Sequence, residues 1–223
     1  MHWTDYLPAL LEGAWVTVQL TVYSTILGSI LAFVAGIGKL SPNSLLRGIA
    51  VVYIEVFRGT SLLVQLFWLY FALPIVGQVL GIDLRIPPVV AGVLALGLNI
   101  GAYGAEVVRG AIQSVHHDQH EAARALNFTP RQTLLNVTIP QAVPEMMPSF
   151  GNLAVQNLKD TALVSLISLG DMTFRAEQLR NFTQDSTTIY SMLLLMYFGM
   201  ALVLTAMMRG LEHRVGRWRR AGV

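Results

Sequence analysis

Residues 146–170 read MMPSFGNLAVQNLKDTALVSLISLG, and whether they cross a bilayer decides the fold. Met146 to Leu158 and Thr161 to Gly170 are each too short to span alone, since about 20 apolar residues are needed to cross roughly 30 Å of hydrocarbon. Joined through Lys159 and Asp160, they make one helix with an adjacent pair of opposite charges inside it. Four other runs carry no charged residue: Ala14 to Gly38 (25 residues), Gly59 to Ile82 (24), Ile86 to Ala105 (20) and Ser186 to Met208 (23). One ionised side chain at mid-bilayer costs about 2.5 to 3.5 kcal/mol, so charge-free runs mark spans cleanly. The second run is expected to begin earlier, near Ile49, which puts Glu55 and Arg58 within or at the edge of that helix. With the interrupted run as the fourth in chain order, the chain reads as an all-α membrane protein of five transmembrane helices.

Composition agrees with that reading. Of the 223 residues 54% are hydrophobic and 13% charged, where a soluble domain carries about 25% charged, and the mean hydropathy is +0.56. With no cysteine, a secreted disulfide scaffold is excluded. A pI near 9.1 raises nucleic acid as a partner, but the cations are sorted by membrane side rather than gathered on one basic face, so no nucleic acid is expected. MHWTDYLPAL at the start holds no Lys or Arg, so the first apolar run is expected to stay in the protein rather than serve as a removable signal.

Orientation follows from Lys and Arg. With the C-terminus cytoplasmic, inside segments hold ten of them (Lys39, Arg47, Arg109, Arg124, Arg131 and five from Arg209 onward) and outside segments three (Arg85, Arg175 and Arg180). The positive-inside rule puts the N-terminus outside. A four-span alternative without the interrupted helix would leave the Arg-poor N-terminus inside and is set aside. The tail Arg214-Val-Gly-Arg217-Trp218-Arg219-Arg220 then reads as an inner-leaflet lipid anchor. No repeat or low-complexity segment divides the chain, so residues 1–223 form a single membrane domain.

The longest polar stretch, about residues 106–145, is cytoplasmic and is where a partner would be met. Ala122, Ala125 and Leu126 recur at helical spacing beside Glu121 and Arg124, giving a short helix. Asn127 can end it, since Asn tolerates the left-handed conformation that closes helices. Thr129-Pro130-Arg131-Gln132 has the form of a fresh start: N-cap, Pro at the first helical position, capping-box Gln. Pro140, Pro144 and Pro148 each remove a backbone donor and predict a kinked or broken return into the membrane. His116 and His120 are four residues apart and could share a metal, but the order is not His-Glu-x-x-His and no further ligand is in sight, so the loop is read as solvated and metal-free.

Glu121-Ala122-Ala123, Leu126 and Ile139-Pro140-Gln141-Ala142 resemble, in sequence and spacing, the EAA loop of permease subunits of bacterial ATP-binding-cassette (ABC) importers. Phe57-Arg58-Gly59-Thr60, Leu63-Val64-Gln65, Ala102 to Glu106 with Arg109-Gly110, and Lys159 to Leu163 are similar to the polar amino acid uptake subfamily. Asn127 replaces the usual Gly of that pattern, and Ile139 its usual Leu. The segments around Asn127, Pro140 to Pro148 and Met208 to Glu212 also look like permeases of ectoine and hydroxyectoine importers.

The resemblance implies a type I ABC importer permease fold, with the Glu121 segment as a coupling helix seated in a separate ATPase subunit. Its contacts would be Glu121, Ala122, Ala123, Leu126, Asn127 and Pro140. Two ATPase subunits, a second permease subunit (identical or paralogous) and an extracytoplasmic solute-binding protein are the implied partners. No G-x-x-x-x-G-K-[ST] occurs, so this chain is expected to be no enzyme and to hold no cofactor, with ATP and Mg bound by the ATPase. A five-span chain is also a thin wall, and a pathway between two such subunits is physically reasonable.

Polar groups within lipid face the bundle interior or a cavity, because facing hydrocarbon is costly. Asn152, Gln156, Lys159 and Asp160 are read as one helix face, extended by Thr161; Gln19, Glu55, Arg58, Gln65, Asn99, Tyr103 and Glu106 are the other conspicuous members. A cation and a carboxylate across a cavity would suit a zwitterionic small polar solute, and an aromatic face a cationic group. Against this stands pairing that only glues helices: Glu55 with Arg58, and Lys159 with Asp160 or Glu106. Glu106 with Arg109 is read as such a pair near the cytoplasmic end. An ion-coupled secondary transporter, working alone through Glu55 and Asp160, is the competing class.

Overall fold

The computed structural model describes residues 5–220, with side chains to residue 216. Trp218 and its neighbouring arginines, the expected lipid anchor, lie outside the described side chains. Among the described residues, ten α-helices follow in order: α1 (Leu7–Lys39), α2 (Ser44–Gly59), α3 (Leu62–Phe67), α4 (Leu73–Val79), α5 (Pro88–Gln113), α6 (His117–Ala125), α7 (Pro130–Thr133), α8 (Ile139–Asp160), α9 (Met172–Thr183) and α10 (Ser186–Arg220). Wide π turns at Trp68–Ala72 and Leu134–Thr138 join α3 to α4 and α7 to α8, and a tighter 3-10 stretch, Thr161–Ile167, carries α8 onward. Among the described residues, Leu7–Lys39, Leu62–Val79, Pro88–Gln113 and Ser186–Gly216 are long and apolar enough to cross a membrane.

Packing centres on α1 against α5, with α8 laid over both and α10 behind α8. Small residues let the first pair approach closely, the usual way helices pack where lipid supplies no hydrophobic drive. A Cβ at Gly28 would collide with Ile100 and lie 3.1 Å from the Gly97 carbonyl; one at Gly36 would lie 2.8 Å from the Ala105 carbonyl. Hydroxyls on the same stripe of α1, Thr17, Thr21 and Ser24, are buried and donate to carbonyls one turn back. Asn157 of α8 donates to Ser24 Oγ (2.7 Å) and Thr25 Oγ1 (2.9 Å), tying α8 to that stripe.

Two expectations are corrected. Residues 146–170 do not form one helix: α8 starts earlier, at Ile139, and Lys159 and Asp160 close it rather than sit inside it. Thr161 donates to the Leu158 carbonyl (2.7 Å) as pairing tightens to 3-10, and Ser168, at φ 60°, ends the segment. The second apolar run does not extend back to Ile49 as one helix. α2 stops at Gly59, Thr60 and Ser61 are extended, and α3 begins at Leu62. Side-chain amides replace the lost backbone pairing: Gln65 Nε2 donates to the Phe57 carbonyl (2.9 Å) and to Thr60 Oγ1 (2.8 Å), and Asn99 Nδ2 to the same Phe57 carbonyl (3.2 Å).

The prolines leave the chain helical from Pro130 to Asp160. Ile139, just before Pro140, donates five residues back to Leu134, and Leu73, just before Pro74, five back to Trp68. In both places the π turn ends two residues before the ring, widening the helix where proline supplies no N–H and crowds the preceding turn.

Candidate functional site: an intramembrane cavity and an exposed loop helix

The break between α2 and α3 opens a cavity of about 440 Å³, closed on its other sides by α5 and α8. Thr60 and Ser61 come from the break, Asn99 and Tyr103 from α5, Gln156 and Asp160 from α8. The volume suits a small polar solute. Tyr53 donates to the Leu98 carbonyl (2.7 Å) and so holds α2 against α5 beside Asn99. Gln156 donates to Asp160 Oδ1 (2.9 Å), one turn apart on α8. Asp160 is the one charged residue lining the cavity among the described residues. A carboxylate with a single amide partner, surrounded by amides and a phenol, can take a cationic or hydrogen-bond-donating group.

The remaining expected residues are dispersed around this cavity. Gln65 stands behind it as a strut, its carbonyl accepting from Asn99 Nδ2 (3.2 Å). Thr161 is fully buried and serves the end of α8. The face expected to unite Asn152, Gln156, Lys159 and Asp160 divides, because the adjacent Lys159 and Asp160 stand about 100° apart on a helix of 3.6 residues per turn, and two four-residue steps carry Asp160 about 80° round from Asn152. Gln156 and Asp160 stay together, Lys159 is exposed outside the cavity lining, and Asn152 lies in a separate crevice with Arg209 and Glu212.

The charged residues form a second assembly, on α1, α2 and α5. Glu106 receives Lys39 Nζ at 2.5 Å on one oxygen and Arg109 Nε at 2.8 Å on the other. Arg58 Nη1 is 4.0 Å from Glu106, and Lys39 Nζ 3.9 Å from Glu55. The expected Glu106–Arg109 pair therefore forms, whereas the ion pairs of Glu55 and Arg58 are with Lys39 and Glu106 rather than each other. The Lys159–Glu106 pairing does not form. Lys39, one of the ten inside cations, is the last residue of α1, and that place at the end of the first span is the sequence signal for its role. Arg58 links the two assemblies, its guanidinium 5.4 Å above the ring of the cavity residue Tyr103.

At the far end of α8, the loop forms as its end signals dictate. The Phe128 N–H reaches the Ala123 carbonyl and the Asn127 N–H the Arg124 carbonyl, closing α6 in a Schellman arrangement with Asn127 at φ 59°. Thr129 and Gln132 complete the capping box of α7. Glu121, Ala122 and Leu126 are exposed, Leu126 to 69%. Ala123 faces inward and is buried, and Pro140 is exposed at the start of α8.

Comparison with known proteins places this geometry. Residues 24–217 match the family model described as binding-protein-dependent transport system inner membrane component. A probable amino-acid ABC transporter permease of Sinorhizobium fredii is 66% identical, over 98% of this chain and 92% of its own. The glutamine transport system permease of Escherichia coli is 34% identical over 94% of each. Among solved structures, an amino acid ABC transporter crystallised with histidines superposes with a TM-score of 0.85 at 34% identity, covering 95% of this chain and 96% of that one. An inward-facing methionine ABC transporter shares the fold, with a TM-score of 0.77 at 19% identity over 95% and 98%.

Proposed function

The chain belongs to the family of inner membrane components of binding-protein-dependent transport systems and is a multi-pass inner membrane protein, the permease subunit of an amino-acid ABC transporter; from that premise we propose how its two sites work together. ABC permease subunits such as its relatives lack an ATPase site of their own, and the family implies ATPase and solute-binding partners. The family relation does not favour an ion-coupled carrier working alone.

The chain crosses the membrane five times: α1, then α2 to α4 as one broken crossing, α5, α8 with its 3-10 extension, and α10. The N-terminus is outside and the C-terminus cytoplasmic, which the distribution of Lys and Arg supports. Glu121, Ala122 and Leu126 dock in an ATPase subunit that binds ATP and Mg. One observation carries the reading: the chain is helical without interruption from Pro130 to Asp160, so motion of the docked loop is delivered by α8 to Gln156 and Asp160 in the cavity. The solute is a polar amino acid or an amino-acid-derived zwitterion, ectoine and hydroxyectoine among them. Asp160 receives its cationic or N–H-bearing group, with Gln156, Asn99 and Tyr103 around it. A second permease subunit completes the pathway, and an external binding protein delivers the solute.

The test is mass spectrometry of proteins co-purifying with the tagged chain in mild detergent, for wild type and Glu121→Arg. A P-loop ATPase present with wild type and depleted in the variant supports the docking role. Equal ATPase recovery and equal uptake in both would overturn it. Competition of uptake by ectoine against polar amino acids then assigns the solute.

A further inference from the structure

A second cavity, about 690 Å³, lies off the proposed pathway. It lies beneath α6, between that helix and the ends of α1 and α5, and its two walls differ in chemistry. One is apolar, from Ile37, Leu40, Ile112 and Leu134; the other presents His117, His120 and Arg124 of α6. These three stand at i, i+3 and i+7, on one face of the helix. The docking residues Ala122 and Leu126 lie on the other side of α6 and Glu121 stands at the edge of the cationic face beside His117, so that role leaves His120 and Arg124 unused. His117 is engaged, its Nδ1 3.3 Å from Glu121. The side chains of His120 and Arg124 have neither an ion pair nor a hydrogen bond among the described residues.

Position narrows the ligand. The apolar wall is made from the last turns of two membrane spans, Leu7–Lys39 and Pro88–Gln113, so the cavity opens where hydrocarbon gives way to water. Basic pockets between spans on the cytoplasmic side are where anionic headgroups are held. A guanidinium pairs readily with phosphate oxygens, and an imidazole N–H adds a donor. We infer that this cavity binds an anionic phospholipid, its phosphate on Arg124 and His120 and the upper part of an acyl chain against Ile37, Leu40 and Ile112. The cytoplasmic placement rests on the orientation proposed above. A lipid seated there touches α1, α5 and the docking helix together, so its occupancy bears on how far α6 moves.

The experiment is native mass spectrometry of the intact transporter, delipidated in detergent and titrated with phosphatidylglycerol or phosphatidylcholine, with and without millimolar inorganic phosphate. Wild type is expected to retain phosphatidylglycerol several-fold over phosphatidylcholine, with phosphate failing to displace it. His120→Gln/Arg124→Gln should reduce retained phosphatidylglycerol about tenfold while the ATPase still co-purifies. Ser41→Glu, which introduces a carboxylate from the α1–α2 loop into the same cavity, should do the same without touching α6. Equal retention by wild type and both variants, or equal retention of the two lipids, would overturn the inference. Displacement by phosphate alone would replace the lipid with a free anion. Glu121→Arg separates the two proposals: loss of the ATPase with phosphatidylglycerol retained supports both. Failure of any ATPase to accompany wild type removes the transport reading while lipid retention is still read on the chain.

Discussion

Glu106 and Asp160 are carboxylates in the same helical bundle, yet their surroundings are opposite. Glu106 is met on both oxygens, by Lys39 at 2.5 Å and Arg109 at 2.8 Å, with Arg58 4.0 Å away. Asp160 has one hydrogen-bond partner, Gln156, feels Lys159 beside it only through its charge, and borders the open cavity of about 440 Å³. A charge answered from every side has nothing left for a solute and serves to hold α1, α2 and α5 together. A charge answered from one side retains acceptor capacity, and a solute can use it. The presence of an intramembrane charge therefore does not identify a pathway; its unanswered side does.

The largest effect should come from removing the answered carboxylate. Glu106→Ala leaves Lys39 with the exposed Glu55 alone, at 3.9 Å, and Arg58 and Arg109 with no carboxylate partner among the described residues. Stripping the shared partner from this part-buried cluster costs up to about 3 kcal/mol, the low end for a buried pair. The expected outcome is a steep drop in the midpoint of thermal unfolding of the detergent-solubilised transporter, followed by fluorescence-detected size exclusion. A variant of unchanged stability whose uptake KM has risen would break the comparison and move Glu106 into the site.

Asp171 sharpens it, as a carboxylate answered by backbone. It caps α9, accepting from Phe174 N–H (3.0 Å) and Thr173 N–H (3.1 Å), and is fully buried. Burial pushes its pKa from 3.8 up to about 6, against the pull of those N–H groups and with a further push from Glu177. Because the folded-state pKa lies above the unfolded one, the folded chain holds the proton more tightly. The resulting stability is fully present below about pH 3.8 and lost as pH rises through about 6. At 1.36 kcal/mol per pKa unit, the change across that window is about 3 kcal/mol. Asp171→Asn, which can still cap, should flatten this dependence of unfolding midpoint on pH. An unchanged slope would assign it to another group.

Asp160→Asn keeps the hydrogen bond with Gln156 available and removes the charge. Uptake is expected to fall ten- to a hundredfold, the effect of about 1.5 to 3 kcal/mol for a hydrogen bond to a charged group, while ATPase co-purification and unfolding midpoint hold. If the complex instead falls apart, Asp160 is structural like Glu106, and the distinction between the two fails.

What could be read from the sequence divides along the same line. The ends of α6 and α7 are fixed by residues within four positions of one another, so Asn127 as the stop and Thr129 with Gln132 as the start were legible. The four charge-free runs were legible because hydropathy is additive along a span. Partners were not. Which cation meets Glu106 depends on how α1 crosses α5, and that is set by close backbone approach at Gly28 and Gly36, far from Glu106 in sequence. The break at Thr60 was equally hidden: it persists because Gln65 and Asn99, from two other helices, take over the Phe57 carbonyl. Asn157 is likewise set by a distant partner: Thr17, Thr21 and Ser24, spaced by four and three on α1, form the polar stripe it meets, and nothing local to Gln156 and Asp160 points to it.

The smallest effect should lie at the end of α6, where a purely local feature feeds the long-range one. Asn127 holds φ 59°, a region that costs a residue bearing Cβ about 1 to 2 kcal/mol and that Asn and Gly tolerate best. Asn127→Val should therefore loosen the Schellman closure and lower the solute-stimulated rate of ATP hydrolysis severalfold, whereas Asn127→Gly should leave it near wild type. Neither change touches Asn99, Tyr103, Gln156 or Asp160, so the concentration of solute giving half-maximal stimulation should stay the same in both. A shift in that concentration with Asn127→Val would mean that the loop and the cavity are not separable along α8, and that the unanswered side of Asp160 is set in part from the docking end.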